Sequence, residues 1–142
     1  MAISARNVFK GKVTEIKEGP INAEIEITTA GGDKIVAVLT EASVKSLGLS
    51  IGNESVALVK TDWVTLLTGT PEYRFSARNQ LRGTVSKLIR GSVNCQVNIT
   101  LAGGSPANAM ITNASADEMG LSEGQPVIAL FKASHVLVGV AA

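Results

Sequence analysis

One cysteine and one histidine in a chain of 142 residues rule out several kinds of chemistry at once. Cys95 has no partner for an intrachain disulfide, and a zinc site built from several thiolates is excluded; a reducing compartment, the cytoplasm, suits such a chain. His135 stands alone, with no recurring serine and aspartate to complete a nucleophilic triad, so an enzyme is not expected. Aromatic residues are only 4% of the composition, and Phe9, Trp63, Tyr73, Phe75 and Phe131 form no repeated set of stacking platforms. The formal net charge of +1 also lacks the basic excess that a phosphate backbone attracts. No nucleic-acid partner is expected, and an OB-type nucleic-acid-binding module is the weaker alternative. No apolar run approaches the roughly 18 residues that cross a bilayer, and residues 1–10 lack the charged, apolar, small order of a secretion signal. No membrane partner is expected either.

What the chain does contain is a second copy of itself. Ser4-Ala5-Arg6-Asn7 returns as Ser76-Ala77-Arg78-Asn79, and the offset of 72 residues then holds almost to the C-terminus. Gly11 falls on Gly83, Gly19 on Gly91, Asn22 on Asn94, Gly31-Gly32 on Gly103-Gly104, Thr40 on Thr112, Ser43 on Ser115, Gly48-Leu49 on Gly120-Leu121 and Lys60 on Lys132. The chain reads as one unit over 1–68, a linker over 69–75 punctuated by Gly69 and Pro71, and a second unit over 76–142. Units of about 65 residues lie near the lower limit for an independent core, so each is expected to lean on the other and on further subunits. A composition of 45% hydrophobic and 18% charged residues agrees, because some of that apolar surface is expected to meet another chain.

Within each unit the pattern is mainly β. Residues 8–16 read as a strand with Gly11, like Gly83, at an interior place where a barrel strand bends or bulges. Gly19-Pro20 turns the chain, and Ile21, Ala23, Ile25 and Ile27 then alternate with polar residues at the period of a half-buried strand. Gly31-Gly32 reads as a hairpin with positive φ at both central positions, leading into a third strand over 34–39. Thr40 is a helix cap, Ala42, Val44 and Leu47 form a short apolar run, and Gly48-Leu49 ends the helix. Residues 54–60 and 63–67 are two further strands, echoed by 126–132 and 135–140. The expectation is two tandem OB-like five-stranded barrels, each with one short helix between its third and fourth strands.

The polar residues that recur are donors. Ser4, Arg6, Asn7, Thr40, Ser43 and Lys60 repeat as Ser76, Arg78, Asn79, Thr112, Ser115 and Lys132, whereas few carboxylates recur and a cation site would need them. Arginine offers a rigid fork, lysine a point charge and each hydroxyl one hydrogen bond. Thr40 and Ser43 fall where a helix leaves backbone N–H groups unpaired, which suits an oxyanion; capping is the plainer reading of the pair alone, and recurrence of the whole donor set tips it toward a site. Phosphate near neutral pH retains a proton and needs an acceptor; sulfate, molybdate and tungstate are satisfied by donors alone. Glu41 adjoins this set, but Asn113 takes its place in the other copy, so it is not a shared ligand. Cys95 matches Ala23 and His135 matches Trp63, which makes packing their expected role.

Together, the doubled Ser-Ala-Arg-Asn opening, Asn22-Ala23-Glu24, Thr40-x-x-Ser43 followed by Leu47-Gly48-Leu49, and Lys60 resemble the molbindins. More narrowly, the chain is similar over nearly its whole length to the di-domain molbindins, cytoplasmic molybdate-binding proteins made of two Mop domains. Related Mop pairs occur in a molybdate-responsive regulator and in transporter ATPases; no helix-turn-helix or P-loop stands in this sequence, so the stand-alone form is expected. The resemblance implies binding of molybdate or tungstate for molybdenum storage and homeostasis, with no organic cofactor. It also implies a homotrimer of di-domain chains, with oxyanion sites at domain and subunit interfaces.

By matching positions, the resemblance implies molybdate-binding roles for Ser4, Arg6, Asn7, Thr40, Ser43, Lys60 and Thr61, and for Ser76, Arg78, Asn79, Thr112, Ser115, Lys132 and Ala133. The Ser-Ala-Arg-Asn segment of one domain would face the helix start and lysine of another. A second site type on the threefold axis is implied for Asn22 and Asn94. Thr61 against Ala133 leaves one half without a side-chain hydroxyl, with Ser134 one position later, so the two site sets are expected to differ in affinity. A molybdate-sensing regulatory subunit that docks on another protein is a further, compatible reading.

Overall fold

A computed structural model describes residues 1–142 and gives each copy the same run of elements. In the first copy these are β1 (Asn7–Glu18), β2 (Asn22–Thr29), β3 (Lys34–Thr40), helix α1 (Glu41–Leu47), β4 (Glu54–Val59) and β5 (Thr65–Leu67). The second copy repeats them as β6 (Asn79–Arg90), β7 (Asn94–Leu101), β8 (Pro106–Thr112), α2 (Asn113–Glu118), β9 (Pro126–Phe131) and β10 (Leu137–Val140). A 3-10 turn, Thr61–Trp63 in one copy and Ala133–His135 in the other, separates the last two strands of each. The fold is mainly β, two five-stranded antiparallel half-barrels with one short helix apiece.

The fifth strand of each copy, however, belongs to its neighbour. The sheets run β10-β4-β1-β2-β3 and β5-β9-β6-β7-β8, with Leu137 opposite Leu58 and Leu66 opposite Ala129. The chain crosses at the 3-10 turns, where the matching residues Trp63 and His135 stack on each other with ring centroids 4.4 Å apart. Because strands are exchanged, the buried apolar residues of both copies form one continuous cluster rather than two. Phe9, Val13, Ile25, Ile27 and Ile35 from the first copy join Val85, Val97, Ile99 and Phe131 from the second, and Cys95 is fully buried among them. Burial of the alternate residues of β2 and β7 follows the period of two in their sequences.

Two glycine roles differ from expectation. The bulge in β1 falls between Val13 and Glu15, not at Gly11, and its twin in β6 falls between Val85 and Lys87. Gly11 remains in register with Thr29 on one side and Ser55 on the other, and a Cβ there would strike the Thr28 carbonyl. At the hairpins only Gly32 and Gly104 take positive φ, 95° and 93°. Gly31 has another reason to be glycine: the two hairpin tips meet, and a Cβ on Gly31 would land on the Gly103 carbonyl. Asp33, only 8% exposed, joins the tips by accepting from Gly103 N at 2.8 Å and Ser105 N at 3.1 Å.

Candidate functional site

Each helix starts on a pair of linked hydroxyls. Thr40 is extended (φ −72°, ψ 150°) and caps α1, its Oγ1 accepting from Ser43 N at 3.1 Å and donating to Ser43 Oγ at 2.9 Å. Thr112 and Ser115 repeat this at α2 with distances of 3.0 and 2.9 Å. Capping is therefore one function of both pairs. It leaves the Ser43 and Ser115 hydroxyls as acceptors within the pair, with their own hydrogens directed elsewhere. Glu41, first in α1, has its Oε1 buried without a hydrogen-bond partner, and Asn113 at the matching place leaves its Oδ1 buried and unpaired as well, although its Nδ2 donates to the Gly91 carbonyl at 3.0 Å.

The cations are positioned by two buried asparagines. Asn7 and Asn79 are each 1% exposed, and each side-chain amide grips the backbone of the other copy's third strand. Asn7 Nδ2 donates to the Asn108 carbonyl at 2.8 Å and its Oδ1 accepts from Asn108 N at 2.6 Å. Asn79 does the same with Val36, at 2.8 Å in both directions. These amides act as one-residue strands on the free edges of β3 and β8, so the structure gives Asn7 and Asn79 a clamping place rather than an open donor position.

From the clamps the rest of the arrangement follows. Asn79 pairs with Phe131 and Asn7 with Val59, which sets Arg78 beside Lys132 and Arg6 beside Lys60. The 3-10 turn after Lys132 packs on β3, and the turn after Lys60 packs on β8. Arg78 reaches Glu24, whose ladder partner is Val38, two residues before Thr40. The chain thus brings Ser76, Arg78 and Lys132 of the second copy toward the strand edge that ends in Thr40 and Ser43. By the same repeat it brings Ser4, Arg6 and Lys60 toward the edge that ends in Thr112 and Ser115. Ser4, Arg6, Lys60, Ser76, Arg78 and Lys132 are all exposed.

Other candidates fall around this edge. Asn22 and Asn94 are exposed and pair in the ladder with Thr40 and Thr112, so they stand beside the caps. Thr61 is half-buried at the start of its turn, and Ala133 is buried at the start of the other. His135 packs against Trp63. Glu24, which the sequence shows only as part of the Asn22-Ala23-Glu24 motif, joins the site as an acceptor: its carboxylate holds Arg78 through two contacts, Nη1 to Oε2 at 2.9 Å and Nη2 to Oε1 at 2.7 Å. The signal was present, since Gln96 replaces Glu24 in the other copy, and Arg6 makes no ion pair there.

The TOBE domain family matches residues 3–66 and again 76–138. The molybdenum transport protein ModE of Herbaspirillum seropedicae is 41% identical over 140 residues, covering 99% of this chain and 52% of that protein. The molybdenum-pterin-binding protein MopA of Rhodobacter capsulatus is 40% identical, again over 99% of this chain and 53% of its own length. The chain therefore spans about half the length of these curated relatives. A solved structure of the cytoplasmic molybdate-binding protein ModG, with molybdate bound, superposes with a TM-score of 0.93 at 49% identity, over 99% of this chain and 100% of ModG.

Proposed function

Because the chain belongs to the TOBE domain family, as a tandem pair of the molbindin kind, we propose that it binds molybdate reversibly and without converting it, and takes tungstate by the same chemistry. The observation that carries this reading is the doubled donor set. Arginine, lysine and two hydroxyls recur at matching places in both copies, and each copy's cations lie toward the other's hydroxyls. A tetrahedral dianion without protons is satisfied by such donors through charge-assisted hydrogen bonds.

One site then takes Ser76, Arg78 and Lys132 with Thr40 and Ser43, and the other takes Ser4, Arg6, Lys60 and Thr61 with Thr112 and Ser115. Ala133 contributes only backbone, and Asn7 and Asn79 hold the arginines in place. Asn22 and Asn94 serve a second site type on the axis of a homotrimer. Ile21 and Val93, matching residues 75% and 66% exposed beside the helix starts, favour such an assembly, since exposed apolar side chains repeated at one place suit a subunit interface. The biological role is molybdenum storage and homeostasis in the cytoplasm. The compatible alternative is a molybdate-sensing regulatory subunit that docks on another protein.

Titration calorimetry tests the core of this reading. Molybdate and tungstate are expected to bind at micromolar concentration or tighter while phosphate gives little heat; no heat with either metal oxyanion refutes it. A solution mass near three times 14.7 kDa checks the assembly.

A further inference from the structure

The repeat makes the two arginines equivalent, but their surroundings are not. Arg78 offers its fork to Glu24, which takes both nitrogens at 2.9 and 2.7 Å, and the Glu24 side chain is only 26% exposed. A carboxylate presents two oxygens to a guanidinium with the same spacing and charge sign that an oxyanion edge presents. At the matching place in the second copy stands Gln96, neutral, with its Nε2 donating to Asn98 Oδ1 at 2.9 Å. Arg6 is left with no carboxylate partner within the chain.

We infer that Glu24 is an internal competitor for the oxyanion at Arg78, so that the two sites of one chain are unequal by construction and the Arg6 site fills first. This rests on the oxyanion reading of the donor set above. Binding at Arg78 requires the Glu24 carboxylate to give up the fork and move away from the incoming dianion, because two anions on one guanidinium repel each other at short range. A second difference acts in the same direction. Lys60 is followed by the Thr61 hydroxyl, whereas Lys132 is followed by buried Ala133, so the site that carries the competitor is also the site with fewer donors. Neither Glu24 nor Gln96 hydrogen-bonds to the hydroxyl pairs that cap the helices, so the inequality can be altered without unseating the fold.

Calorimetry with sodium molybdate on the wild type, Glu24→Gln and Gln96→Glu tests the inference. The wild type is expected to show two affinity classes. Glu24→Gln should strengthen the weaker class by about two- to fivefold, the range expected for releasing one partly exposed ion pair. Gln96→Glu should weaken the tighter class by a similar factor. A merely structural ion pair predicts the opposite sign for Glu24→Gln, since losing it would loosen the site and lower affinity. Wild-type binding with Glu24→Gln unchanged or weakened in every class overturns the competitor and leaves the oxyanion site standing. A wild type that takes up no molybdate overturns both.

Discussion

Replacing Asn79 with alanine removes the only group that pairs the outward backbone of Val36. In the intact chain the amide both donates to and accepts from that residue at 2.8 Å, from a side chain 1% exposed. Each bond contributes about 0.5–1.5 kcal/mol net, and a partner left unpaired in a shielded place adds a desolvation penalty, so a loss of about 2–4 kcal/mol is expected. With a urea slope of about 2 kcal/mol per molar for a chain of this size, the midpoint should fall by about 1–2 M. Urea titration followed by circular dichroism, at one protein concentration because assembly contributes to stability, reads this directly. Asn7→Ala should match it, since Asn7 holds Asn108 at 2.8 and 2.6 Å. Asn79→Asp should fare worse, because a carboxylate oxygen would then face the Val36 carbonyl. Midpoint shifts below about 0.3 M in both alanine variants would show that these clamps add little to the exchanged strands and shared core.

Thr40→Asp separates capping from binding: aspartate caps as well as threonine and suits a helix start, so the melting temperature should hold while molybdate affinity collapses. Retained affinity would mean that the hydroxyl pair only caps. Lys60→Ala should weaken the site it serves by about 10- to 150-fold, the worth of one charge-assisted bond, with phosphate still inert; an unchanged isotherm removes Lys60 from the site. Gly31→Ala should lower stability by about 1–3 kcal/mol through collision of the hairpin tips, and Gly32→Ala by about 1–2 kcal/mol through its positive φ. Equal melting curves for Gly31→Ala and the wild type would show that the tips do not depend on that contact.

Much of this architecture is legible in the sequence because local chemistry decides it. Alternation around Ile25 and Ile27 produces a half-buried strand, and Thr40 with Gly48 brackets a seven-residue helix whose C-cap takes the left-handed φ of 64°. What escapes the sequence depends on the other copy. Gly31 is glycine because Gly103 arrives on a hairpin tip 72 residues away, not because its own turn demands it. Asn7 and Asn79 look like open donors beside arginines until the facing strand edge shows what the amides hold. The sequence likewise marks a strand over 63–67, of which the structure keeps Thr65–Leu67 after the 3-10 turn, but it says nothing of which sheet that strand joins, since three residues fit either edge. For the site, recurrence marks the donors; Glu24 stands in the Asn22-Ala23-Glu24 motif, but its hold on Arg78 is invisible until the second copy folds against β2.

The exchanged strands also give the two halves different histories on the ribosome. Strand β4 ends at Val59, yet the strand that covers its outer edge, Leu137–Val140, is made roughly 80 residues later. At about 5–20 residues per second that interval is about 4–16 s, during which the first half carries an open edge able to pair with a sister chain on the same message. The second half never waits, because β5 already exists when β9 emerges. Two copies with one fold thus complete in reverse order of synthesis, and the half made first is the half most exposed to mispairing.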